Sequence, residues 1–244
     1  MDQHPSGWRG GGTTRLEAFV DAAFAFAVTI LVISAERIPG SVQALVLALK
    51  QIPAFAAGFA LLALFWYAHV RWSRRYRLDG MLATLLSLLL VFLVLVYVYP
   101  LRLLLGTFFA WISGGWLPMP LSDISGATQI AFVFVFYGLA FASMSACMGG
   151  LYLLAWRRRG LLGLDTEAAA DAMGEVAAYG YFCVIGMLSA GVALSLPTRA
   201  APWQVAIPGL LYFLLSLTGL LHVLGRRRAL RRLERSDETE APNA

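Results

Sequence analysis

The chain has 244 residues, of which 59% are hydrophobic and 14% charged, with a mean hydropathy of +0.72 and a formal charge of +5. A soluble domain carries about 25% charged residues, so a water-exposed globule with an ordinary surface is excluded and a lipid solvent accounts for the deficit. The cations sit in short clusters between apolar runs, a pattern of membrane topology more than of nucleic-acid binding.

Residues 1–14 are polar and Gly-rich and read as a flexible start. The first apolar run covers 15–34. The second covers 42–72 and contains Pro53, which predicts a kink or an interfacial first turn. A third run covers 81–105, and the stretch after it, with Trp111, Trp116, Pro118 and Pro120, reads as an ordered interfacial loop. Further runs cover 129–156, 173–196 and 203–224. Their lengths suit membrane helices, which need about 20 residues, and exceed barrel strands of about 10. The chain therefore divides into a start at 1–14, a membrane domain at 15–225 and a tail at 226–244. That tail opens as RRRALRRLER and ends acidic, which predicts surface contact followed by disorder.

Counting Lys and Arg sets the orientation. Arg9, Arg15, the four arginines of 71–77, the triplet at 157–159 and the six arginines of 226–235 make 15 of the 19 cations. Arg37, Lys50, Arg102 and Arg199 remain for the other face. Only an even number of spans puts both termini with the majority, and the majority side reads as cytoplasmic. An all-α integral membrane protein of six helices with both ends inside is the consistent solution. Cys147 and Cys183 fall inside apolar runs and read as small buried residues without a disulfide role. Ala142, Ala146 and Gly150 recur every four residues, a spacing that lets helices approach closely within the subunit.

The first run carries the chemistry. It begins Arg15-Leu-Glu-Ala-Phe19-Val20-Asp21 and continues Ala-rich to Ile33. An acid inside an apolar span is unfavourable and marks function or a buried partner, and a cleaved signal sequence rarely carries one. At 100° per residue, Asp21 and Phe26 point about 140° apart. Ala22, Phe26, Thr29, Ile30 and Ile33 share one face, so Asp21 looks away from whatever that face meets. Taken alone, the stripe suits helix packing or lipid contact as well as a pore. Asp21 reads as an acid favoured by the helix N-terminus or as part of a buried polar network.

Arg15, Phe19 and Asp21 match a signature Arg-x-x-x-Phe-Ser-Asp, with Val20 in place of the Ser and Thr29 eight residues after the acid. Trp66-Tyr-Ala-His69 is similar to a Trp-x-x-His near the inner end of a second helix, and Tyr99-Pro100 to a Pro at the outer end of a third. On these residues the chain resembles the transmembrane-protein-175-like potassium channels. The resemblance implies a homotetramer in the bacterial plasma membrane, a cation channel lacking the Thr-Val-Gly-Tyr-Gly filter, with the first helices of four subunits around the pore. It implies constricting rings at Phe26, Ile30 and Ile33, with Ala22 extending the same face, a selectivity role for Thr29, and potassium as the permeant ion, with some proton permeation. It also implies a structural and gating network of Arg15, Phe19, Asp21, Trp66 and His69. His69 alone reads most simply as an interfacial histidine; as the partner of Asp21 it would close that network. Two departures stand out: Val20 lacks the family's hydroxyl, and Phe26 stands where Ile or Leu is usual.

Nothing in the sequence points to an enzyme, since it holds no nucleophile–base set, metal-ligand spacing or phosphate loop. No cofactor, nucleic acid or small-molecule substrate is expected; the partners are further copies of the chain and membrane lipids. A secondary transporter would need paired polar groups near the bilayer midplane, and few polar residues lie there. A non-conducting scaffold is the third reading.

Overall fold

The computed structural model describes residues 14–33, 40–78, 80–118 and 127–240, and every regular element among them is helical. The Gly-rich start with Arg9, and the positions of Arg37 and Pro120, lie outside the described residues.

Helix α1 (Arg15–Ile33) opens on a reciprocal cap. The Glu17 N–H donates to Thr14 Oγ1 at 3.2 Å and the Thr14 N–H donates to Glu17 Oε2 at 2.7 Å, satisfying two otherwise orphaned donors. The second apolar run is two helices, α2 (Val42–Leu49) and α3 (Ile52–Tyr76). Pro53 stands in the first turn of α3, where no N–H is needed, so the predicted kink is a full break at Lys50 and Gln51.

Helix α4 (Met81–Ile112) is longer than the run that announced it. It passes through Pro100 and takes up the first part of the predicted loop. In lipid a backbone that leaves the helix loses its hydrogen bonds, so the helix continues past a proline that would end it in water. It stops before Gly114 and Gly115, both at positive φ. Helix α5 (Ala127–Arg157) follows, and then α6 (Thr166–Leu194). The start of α6 precedes the predicted one because Asp165 caps it, its Oδ1 accepting from the Ala168 N–H at 2.6 Å. The last apolar run comprises α7 (Pro202–Leu210), a 3₁₀ segment (Leu211–Leu217) and α8 (Thr218–Glu240). The disorder expected of the tail's acidic end is corrected here: the helix runs through the arginines and on to Glu240, in a stretch rich in good helix formers.

Helices α1, α3 and α4 pack on one another, α5 joins α4 to α6, and α6 packs on α8. The core combines Val20, Phe24, Ala27 and Leu31 of α1 with Phe65 and Trp72 of α3, and with Leu90 and Val94 of α4 and Leu151 of α5. The Trp72 indole N–H donates to the Leu151 carbonyl at 2.9 Å, tying α3 to α5. Among the described residues, five stretches are long and apolar enough to cross a membrane: Val42–Tyr76, Met81–Val98, Thr128–Arg157, Thr166–Leu194 and Trp203–Arg235. Helix α1, with Arg15, Glu17 and Asp21 in its first two turns, is not among these.

Helices α5 and α6 approach each other closely. A Cβ added to Gly138 would lie 2.5 Å from the Gly186 carbonyl oxygen, and one on Gly186 would lie 2.6 Å from that of Gly138 and 3.1 Å from the Ala142 Cβ. The small-residue repeat is therefore a packing device within the subunit, but shifted. It uses Gly138 and Ala142 against Gly186 and Ala190, leaves Ala146 exposed, and sets Gly150 against Leu86.

Each end of the bundle is closed by polar contacts. At one end Arg71 pairs with Glu175 at 2.6 Å, Arg75 with Asp171 at 3.1 Å, and Arg226 with both Asp171 and Glu167. At the other, Lys50 Nζ donates to the Trp116 carbonyl at 3.1 Å and lies 4.7 Å from its ring centroid. Beside it, the buried Arg102 donates to Gln51 Oε1 at the α2–α3 break.

Candidate functional site

Helix α1 has two opposed faces. Val20, Phe24, Ala27 and Leu31 are buried against α3 and α4, while Ala18, Phe19, Ala22, Ala25, Phe26, Thr29 and Val32 are exposed. Phe24 keeps 4% of its surface and Phe26 keeps 58%. Leu31 is pressed closely onto α3, since a Cβ on Gly58 would lie 3.2 Å from its Cδ2.

Of the predicted stripe, Ala22, Phe26 and Thr29 thus point out of the bundle together. Ile30 sits at the stripe's edge, half-buried and packed on the core. The Ile33 side chain lies outside the described ones. The Thr29 hydroxyl donates to the Ala25 carbonyl at 3.0 Å, which occupies its proton and leaves its oxygen lone pairs as acceptors.

Two acids fasten the inner part of α1 to α3. Asp21 Oδ1 accepts from the Trp66 indole N–H at 2.8 Å, and Glu17 Oε1 accepts from the Ser73 hydroxyl. Both acids are half-buried and lie one turn apart on the side of α1 away from Phe26. The pairing of Asp21 with His69 is corrected: His69 is 2% exposed and bonds Ser87 Oγ of α4 at 3.0 Å. Trp66 and His69 are three residues apart on α3, and the indole N–H, exposed at its edge, reaches the acid while the imidazole turns inward to α4. His69 is accordingly a buried helix–helix contact, with its ring 5.9 Å from that of Trp72, and not an interfacial side chain.

The remaining predicted positions separate. Arg15 is exposed at the first position of α1, and Phe19 is exposed on the same side as Phe26, apart from the polar contacts. Val20, in the place of the signature's hydroxyl, is fully buried among apolar side chains. Glu17, Ser73 and Ser87 were not singled out from the sequence. The Thr14-x-x-Glu17 spacing was the available signal for Glu17; single serines in apolar helices offer none.

The family of the endosomal/lysosomal potassium channel TMEM175 matches residues 15–100. A potassium channel of Marivirga tractuosa is 31% identical over 216 residues, 85% of each chain. The chain belongs to the TMEM175 potassium-channel family. A crystal structure of a threonine-to-alanine variant of the potassium channel MtTMEM175, in complex with a nanobody–MBP fusion protein, has a TM-score of 0.77 to it. That likeness holds at 29% identity and covers 94% of this chain and 99% of the other. The stretch matched to the TMEM175 family runs from the start of α1 to Pro100 within α4. It contains both acids and the two donors that anchor them, Trp66 and Ser73. In this TMEM175-family chain Val20 points inward from α1 and Phe26 outward.

Proposed function

We propose that this chain is a potassium-permeable channel of the plasma membrane in which four copies surround a pore lined by α1. The observation that carries this reading is the division of α1. Its back, from Val20 to Leu31, is committed to its own bundle, while Ala22, Phe26 and Thr29 face outward. A closed ring of subunits with that stripe at its axis gives a conduit that one copy lacks. Phe26, Ile30 and Ile33 form its apolar constrictions and resist wetting, and Thr29 supplies oxygen acceptors between them. Helix α1 is the sixth crossing beside the five long apolar ones, and both termini lie on the arginine-rich, cytoplasmic side.

The polar contacts have a mechanical role in this reading. Glu17–Ser73 and Asp21–Trp66 fix the rotation of α1 on α3, so the same residues meet the axis in every subunit.

The test is potassium flux through purified protein in liposomes. Phe26→Ala should raise flux, and Thr29→Ala should lower the preference for potassium over sodium. A folded tetramer that carries no current in either variant would remove the channel reading and leave the scaffold.

A further inference from the structure

The arginines that follow the last apolar run have a definite arrangement. Helix α8 continues through them without a break. Arg226 turns inward: its Nε donates to Asp171 Oδ1 at 2.8 Å, and its Nη2 pairs with Glu167. Ala229 is buried on that inner side, and Leu230 and Leu233 are half-buried. Arg227, Arg228, Arg231, Arg232 and Arg235 are exposed, and at 100° per residue they fall within an arc of about 140°.

The acids of α6 do not neutralise Arg227, Arg228, Arg231 and Arg232. Glu167, Asp171 and Glu175 on α6 are engaged by Arg226, Arg75 and Arg71 at the helix interfaces. Glu234 is exposed at one border of the arc. The stripe begins directly after the apolar turns that end at Leu224, which is the depth of headgroup phosphates. Trp156, near the end of α5 on the same side, marks that boundary, with Arg159 4.7 Å from its ring centroid.

We infer that the outward face of α8 is an anionic-lipid site, at which Arg227, Arg228, Arg231 and Arg232 take the phosphate oxygens of the adjoining leaflet. Guanidinium groups suit this because their paired N–H donors match phosphate bidentately. Helix α8 is thereby held from two sides, by the acids of α6 and by the lipid surface. The inference does not depend on whether the four-chain pore conducts.

Native mass spectrometry of the purified full chain, titrated with phosphatidylglycerol or phosphatidylcholine in detergent, tests it. The native protein should retain phosphatidylglycerol in preference to phosphatidylcholine. Replacing the four arginines by glutamine (R227Q, R228Q, R231Q, R232Q) should weaken retention about tenfold or more. Should that variant fail to purify as a single species, the pairs R227Q/R231Q and R228Q/R232Q serve, each expected to weaken it several-fold. Three results would overturn the site: unchanged phosphatidylglycerol retention in the folded variants, equal retention of phosphatidylcholine, or competition by inorganic phosphate at equal concentration. The first two leave the arginines as topology signals only; the third makes the stripe a small-anion site.

Discussion

The Trp66 indole N–H meets Asp21 Oδ1 at 2.8 Å, so the one acid inside the apolar part of α1 is answered by a neutral donor on α3. A hydrogen bond to a charged group contributes about 1.5–3 kcal/mol when buried, and about 1 kcal/mol is reasonable at this half-exposed contact. Trp66→Phe removes the donor and keeps most of the ring. Thermal unfolding of Trp66→Phe, Asp21→Ala and the double variant should give a coupling of about 1 kcal/mol. Strict additivity would dissolve the pairing.

His69 provides the contrast. Its bond to Ser87 is fully buried and joins α3 to α4. Ser87→Val fills similar space but strands a ring nitrogen, a change that costs about 1–3 kcal/mol. His69 and Ser87 should therefore couple strongly in a double-mutant cycle, and His69 and Asp21 weakly. A His69–Asp21 coupling larger than that of His69–Ser87 would restore the partnership suggested by the Trp-x-x-His spacing.

That spacing shows what was legible in the sequence and what was not. Among the described residues, hydropathy located the apolar part of each long helix, because lipid imposes one apolar length on each crossing. Pro53 marked the α2–α3 break for a stated steric reason. Pro100 lay inside the third run and lies inside α4, as a proline within lipid can. The acidic end of the tail misled, since its composition suits disorder and a continued helix equally well. At the site, 3.6-residue periodicity separated Phe26 from Asp21 correctly. It could not choose between Trp66 and His69, which lie on neighbouring faces of one helix, and it carried no trace of Ser73 or Ser87. Those pairings depend on how α1 and α4 are rotated against α3, a tertiary property.

The α5–α6 crossing should tolerate almost no added volume. A Cβ on Gly138 meets a backbone oxygen at 2.5 Å, and backbone cannot swing aside as a side chain does. Gly138→Ala is expected to destabilise the bundle by about 1–3 kcal/mol, as overpacking does in tight cores, and Gly138→Val by more. Gly180→Ala, on α6 with nothing within 4 Å of its added Cβ, is the matched control and should be neutral or slightly stabilising. Melting temperatures in detergent decide it: equal values for Gly138→Ala and Gly180→Ala would mean that the two helices are not in contact there.

Phe24 and Phe26 separate the structural face of α1 from the functional one. They are the same residue type two positions apart, one buried at 4% and the other exposed at 58%. Phe24→Ala leaves a cavity between α1 and its neighbours and should cost about 3–5 kcal/mol of stability, lowering the yield of folded protein. Phe26→Ala removes a ring with little packing inside the subunit and should cost less than about 1 kcal/mol there, while raising ion flux if four such rings close the pore. The ratio of flux to folded protein, measured for both variants in the same liposome preparation, is the discriminating quantity. It should rise for Phe26→Ala and stay near the native value for Phe24→Ala. A rise of equal size in both would indicate that α1 had merely been loosened, and that the outward stripe has no special place in conduction.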